Sequence, residues 1–135
     1  MALRDLMPIL SLPNLSFVDL QYGDTSQERQ DVKNNFGIEI ERLEDIDNFN
    51  DIDGLASLID ACDFVVTVSN TTTHLAGALG KKTLLMVPYG HGKISYWHEG
   101  RADSLWYPSV RIFTQTVAGD WGSVIAAVVN EIGSI

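Results

Sequence analysis

Residues 64–87 read FVVTVSNTTTHLAGALGKKTLLMV. Two apolar, β-branched runs, 64–68 and 83–87, bracket a stretch of different period. A short run without charge suits a strand buried on both faces of a parallel sheet, so 64–68 reads as a central strand and 83–87 as its neighbour. Between them, Ser69 or Asn70 can cap a helix over 71–79 that Gly80 closes. Ala76, Gly77, Ala78 and Gly80 are small, so that helix can lie close to the sheet. Four polar side chains, Thr71, Thr72, Thr73 and His74, fall in its first turn. The first turn leaves backbone N–H groups without partners, and the aligned peptide dipoles place about half a positive charge there. Amides, threonine hydroxyls and an imidazole gathered at that end are fit to hold phosphate oxygens. Capping alone also accounts for Ser and Asn at a helix start, and a lone histidine is commonly structural, so spacing by itself leaves both readings open.

Working outward, the same alternation recurs. Residues 2–10 suit a short helix ended by Pro13-Asn14, and 16–21 (SFVDLQ) a strand. Asp24 or Thr25 can start the next helix, with Thr25 and Glu28 spaced as a capping box. Val32 and Phe36 share one face of that helix, and Gly37 ends it. Residues 38–43 alternate apolar and charged, as an edge strand does, and 44–51 are a polar loop. Ile52, Leu55, Leu58, Ile59 and Cys62 trace a helical stripe. Beyond 88–109, a loop rich in Gly, Tyr and Trp, come a strand over 110–114 and a last helix. That helix carries Trp121, Val124, Ile125, Val128, Val129 and Ile132 on one face, with Asp120 as N-cap. Repeated β-α units predict an α/β fold: one Rossmann-like domain over 1–135, with a doubly wound, mostly parallel sheet of about five strands in the order 2-1-3-4-5. Ligands of such sheets lie beyond the carboxyl ends of the strands, where SNTTTH falls.

Composition narrows the function. A net charge of −9 over 135 residues opposes nucleic acid and anionic membrane surfaces. No apolar run approaches the roughly 20 residues a membrane-spanning helix needs. The N-terminus lacks the pattern of a secretory signal, and the single Cys62, in an apolar context, reads as a structural thiol of a reducing cytoplasm. Other apparent motifs fail. Asp51-Ile-Asp53-Gly54 hints at a calcium loop, but the first ligand position is then Phe49. Gly90-His-Gly-Lys93 resembles the end of a phosphate loop, but Ile94 stands where Ser or Thr is required. His91 and His98 lack a third metal ligand, so neither metal nor cofactor is expected. Trp97, Trp106 and Tyr107 suit either stacking on a ligand or pinning the long loop, and Trp106, beside Pro108, suits pinning.

The stretch DFVVTVSNTTTHLAGALGKKTLLMVPYG (63–90) resembles the C-terminal domain of family 9-type, heptosyltransferase-like glycosyltransferases. It is most similar to bacterial versions found downstream of tetratricopeptide repeats. LQYGD (20–24), RADSLWYP (101–108), VRIFTQ (110–115) and GDW (119–121) extend the resemblance over residues 17–132. It implies the nucleotide-sugar-binding half of a GT-B transferase, cytoplasmic and metal-free. Ser69, Asn70, Thr71, Thr72 and His74 would surround the donor diphosphate. Gln21 and Tyr22 would flank the same cleft, Tyr89 and Gly90 would border the base or sugar, and Glu28 would lie near the ribose. Ser69 occupies a place where heptosyltransferases often carry Asp. The acceptor-binding N-terminal domain, which holds the family's catalytic base, is expected to be a missing partner. No catalytic residue is therefore assigned, the chain alone is expected to be inactive, and an uncovered interdomain face would favour self-association. Two other classes use such a sheet: a non-catalytic interaction module or truncated remnant, and a receiver-like signalling domain. The receiver needs an Asp where the 64–68 strand ends, and Ser69-Asn70 stand there.

Overall fold

Helix and strand alternate along the chain. The computed structural model describes residues 1–90, 95–98 and 100–135. After a 3-10 turn, Leu3–Leu6, come α1 (Met7–Leu10), β1 (Phe17–Val18), α2 (Ser26–Phe36), β2 (Ile40–Glu41) and α3 (Ile52–Ala61). They are followed by β3 (Val65–Val68), α4 (Thr71–Ala78), β4 (Thr83–Val87), a 3-10 turn Ser95–Trp97, β5 (Val110–Thr114) and α5 (Gly122–Ile132). The α/β class and the parallel strands are as expected from sequence. The chain forms two compact units, Met1–Leu55 and Ala56–Ile135, with α3 starting in the first and running into the second.

In the first unit β1 and β2 pair in parallel, Phe17 opposite Ile40. Leu10, Val32 and Ile40 form its buried core, with Leu3, Leu6, Met7, Phe17 and Ile38 packed around them. Phe36 departs from the helical stripe expected of it and is exposed, whereas Val32 is buried. The capping box does not form: the Thr25 hydroxyl donates to the Asp19 carboxylate and makes no cap bond. Asp24 accepts from the Ser26 amide instead, at 2.9 Å. Gly37 takes the left-handed conformation, φ +70°, that ends α2, where a β-carbon would be strained.

In the second unit β4 lies between β3 and β5, all parallel. Every residue of β4 is buried, which makes it the strand covered on both faces. That role was expected of 64–68, but only Val65 of β3 is fully buried, because β3 pairs with one neighbour in its sheet. Leu85, Val87, Val110, Ile112 and Trp97 make the core on one side of this sheet. At the start of α5 the backbone places Trp121 at the N-cap, yet the Asp120 carboxylate does the capping: it accepts from the amides of Gly122 (3.0 Å) and Ser123 (3.4 Å). The strands fall in two sheets, of two and three, where one sheet was expected.

All three tryptophans lie in the second unit, so their fluorescence reports its unfolding. Leu85→Ala empties space in a fully buried strand and is expected to lower unfolding free energy in urea by about 2–5 kcal/mol. Asp120→Ala removes only a cap and should cost about 1 kcal/mol.

Candidate functional site

The entrance to α4 is built by Asn70. Its extended backbone (φ −157°, ψ −177°) ends β3, and its side-chain oxygen accepts from the Thr73 amide at 3.2 Å. Thr67 Oγ1 donates to the same oxygen at 3.3 Å. Thr73 is fully buried, and its hydroxyl donates to the Val68 carbonyl at 2.8 Å. It therefore closes the strand end and is not an exposed donor, contrary to the expectation for three adjacent threonines. Thr71 is exposed and Thr72 half-buried. Their amides and hydroxyls make no hydrogen bond among the described residues.

Aromatic rings from the β4–β5 connection crowd the next turn. Trp97, 1% exposed, stacks on the His74 ring with centroids 5.2 Å apart and 27° between planes. Its indole N–H donates to Ser69 Oγ at 2.8 Å. Tyr96 and Tyr107 meet His74 edge-on, and the Tyr107 hydroxyl lies 3.1 Å from His74 Nδ1. Tyr107 rests on the α4 backbone: a β-carbon at Gly77 would stand 2.4 Å from its Cγ. Ser104 Oγ accepts from the amides of Trp106 and Tyr107, at 3.1 and 3.2 Å, and so sets the turn that aims Tyr107. Trp106, expected to pin the loop, stacks on Tyr96 and donates its indole N–H to the Tyr96 carbonyl at 3.3 Å, so it ties one part of the loop to another; at 56% exposed it does not enter the core, and the buried anchor is Trp97. Among the predicted residues of this unit, Ser69, Asn70, Thr71, Thr72 and His74 thus lie together around one helix start. Tyr89 and Gly90 follow β4 and are exposed, and the Tyr89 amide donates to Gln115 Oε1 at 3.0 Å. Gln115 is 3% exposed, and its Nε2 has no partner among the described residues. His91 and the Gly90–Lys93 loop motif reach outside the described residues. Among the described residues no group of three metal-ligating side chains occurs.

Gln21 and Tyr22 lie in the first unit, at the carboxyl end of β1. Asp19, next to them, meets Arg42 at 3.0 Å, and Arg29 approaches it to 3.6 Å. The Arg42 guanidinium also donates to the Gln21 carbonyl. Asn48, 6% exposed, donates to the carbonyls of Asp19 and Gln21 at 3.2 and 3.1 Å, while its own Oδ1 has no partner among the described residues. The Gln21 side chain is exposed, and Tyr22 packs on Phe49 with ring centroids 5.6 Å apart. Glu28 lines a hollow with Ala2, Leu3, Arg4 and Asp31, and the α2 side chain that reaches the β1 end is Arg29. Sequence reading passed over Asp19, Arg42 and Asn48. No local signal marked them, because they meet across 23 to 29 positions of sequence. Tyr107 and Trp97 were noticed without their partner His74, because partners 33 and 23 positions away in sequence leave no periodicity.

Against known proteins, the chain is 37% identical over 125 residues to Protein FlbA of Caulobacter vibrioides. The match takes in 93% of this chain and spans about a fifth of that protein's length (20%). No protein-family profile matches the chain. No solved structure gives a significant match. No helix among the described residues is long and apolar enough to cross a membrane.

Three exposed carboxylates of the first unit are held below their ordinary range. Hydrogen bonds from Ser26 lower Asp24, the Lys33 ammonium lowers Glu39, and the Asn50 side chain, then the amides of Phe49 and Asn50, lower Asp47. A depressed carboxylate contributes stability that is present above its unfolded value and lost as pH falls through its folded one. The urea midpoint of the protein should therefore fall as pH drops below about 4. Asp47→Asn should shrink that fall, and added salt should weaken the Lys33–Glu39 part most, since Asp24 and Asp47 owe their shifts first to hydrogen bonds. A midpoint of Asp47→Asn with the full wild-type slope against pH would contradict the assignment.

Proposed function

We propose that the second unit binds the diphosphate of a nucleotide sugar at the start of α4, as the donor-binding part of a glycosyltransferase. The observation that carries this reading is the cap. Helices α2, α3 and α5 each begin on an aspartate whose carboxylate accepts a first-turn amide: Asp24, Asp51 and Asp120. Those carboxylates already satisfy the positive end of the helix. At α4 the cap is the neutral Asn70, and the Thr71 and Thr72 amides and hydroxyls are open. An incoming phosphate there meets unspent donors and an uncompensated dipole. Charge distribution supports the same reading. Twelve of the eighteen acidic residues fall within residues 1–55, and the second unit carries six acidic against five basic residues, so its own charge scarcely repels an anion.

On this reading Ser69, Asn70, Thr71, Thr72 and His74 line the diphosphate. Tyr89 and Gly90 border the sugar or base. The catalytic base and the acceptor site belong to an N-terminal GT-B partner domain, because a nucleophile must be held against the anomeric carbon by groups this site does not supply. The setting is cytoplasmic, where nucleotide sugars are made. The alternative, an interaction module on the same fold, draws on the exposed Leu105 and Trp106, 54% and 56% accessible. In that case the open donors at α4 would have no ligand.

Calorimetry with UDP, GDP and ADP separates the two. At least one is expected to bind and raise the melting temperature, since a ligand of the folded state stabilises by RT ln(1 + [L]/Kd). The double variant Asn70→Ala/His74→Ala should lose binding and remain folded, the cap costing about 1 kcal/mol. If all three nucleotides at millimolar concentration leave the wild-type transition unmoved, the donor-site reading fails.

A further inference from the structure

His74 has two ring nitrogens, and among the described residues only one of them is spoken for. Nδ1 lies 3.1 Å from the Tyr107 hydroxyl, while Trp97 covers one ring face and Tyr96 and Tyr107 meet the ring edge-on. The ring is boxed, so it cannot choose its partner freely. We propose that Tyr107 is a positioning residue: its hydroxyl donates to His74 Nδ1 and thereby keeps the neutral imidazole's proton on Nε2, ready to donate to a phosphate oxygen of a nucleoside diphosphate. This rests on the diphosphate reading of the α4 entrance and adds to it the tautomer and the residue that sets it.

The direction of the bond follows from the two groups' chemistry. A phenolic O–H is a far stronger acid, and so a better donor, than the N–H of a neutral imidazole, and an imidazole nitrogen is a better acceptor than a phenol oxygen. At 3.1 Å the favoured arrangement is therefore Tyr107 O–H donating to His74 Nδ1. An Nδ1 that accepts requires a protonated Nε2 in neutral imidazole. The seat of the relay is Gly77, the one α4 position where Tyr107 can lie this close to the helix, and Ser104 fixes the turn from the other side.

Nitrogen-15 NMR of histidine-labelled protein reads the tautomer directly, with His74→Ala identifying the signals among the three histidines. At about pH 8, above the usual histidine titration, the wild type is expected to show a protonated Nε2 and a bare Nδ1. Tyr107→Phe keeps the ring in its seat and removes the proton donor. Both signals should move toward a tautomer mixture, and affinity for whichever of UDP, GDP or ADP binds should fall about fivefold to tenfold, the worth of one ordinary hydrogen bond. Gly77→Ala, which displaces the ring, should give the same spectral change. A wild-type proton on Nδ1, or Tyr107→Phe signals identical to wild type, overturns the proposal. If the signals move as expected but no nucleotide binds to the wild type, the positioning stands and the diphosphate reading falls.

Discussion

The Tyr107 ring lies on the bare backbone of α4 at Gly77, where even a methyl group would come within 2.4 Å of it. Much of the second unit's candidate site depends on that contact. It brings the chain between β4 and β5 back over the helix start, delivers a hydroxyl to His74, and holds in place the segment from which Trp97 reaches Ser69. A larger residue at position 77 would lift the ring, and the box around the imidazole would open on one side. Small residues in α4 therefore serve two surfaces: Ala76, fully buried, gives close approach to the core, and Gly77 gives approach to the loop.

The same box gives His74 and Ser69 a double character. Each is engaged by an aromatic residue, which on its own would make them structural. Yet neither is exhausted. Among the described residues Ser69 Oγ accepts from Trp97 and retains its own proton, and His74 uses Nδ1 and retains Nε2. Thr73, by contrast, is spent, with its hydroxyl on the Val68 carbonyl and its amide on Asn70. In a run of three identical residues, helix rotation turns one inward to close the strand and leaves two at the mouth.

The alternation of apolar runs and capped helical stripes carried the α/β class, because burial of strand faces and helix stripes is written locally in residue order. The buried β4 and the Asn70 cap were legible for the same reason. Which strand is central was not, since Phe64-Val-Val-Thr-Val and Thr83-Leu-Leu-Met-Val look alike and only pairing with β5 distinguishes them. The capping box at Thr25 failed because a carboxylate six residues upstream, Asp19, outbid the backbone for the hydroxyl. The site divides similarly. Its polar helix start is a contiguous motif and could be read, whereas the His74–Tyr107 bond spans 33 positions and could not. Long-range partners follow from the path of a loop, and loop paths obey no period.

What finally distinguishes the α4 entrance is the fate of backbone groups at the carboxyl ends of the strands. A parallel strand ends in carbonyls that must find donors. In the first unit Asn48 takes those of Asp19 and Gln21, with Arg42 sharing the latter. In the second, the Thr73 hydroxyl takes Val68 and the Gln115 backbone N–H takes Val87. With these acceptors closed by the chain's own donors, the polar groups left open at α4 among the described residues are the amides and hydroxyls of Thr71 and Thr72, beside the Ser69 hydroxyl and His74 Nε2. Such a set carries no carboxylate, so it offers a cation only hydroxyl oxygens. A water satisfies one or two of its members. On the proposed reading, the non-bridging oxygens of a diphosphate would supply acceptors to this set, and the α4 dipole would favour their charge.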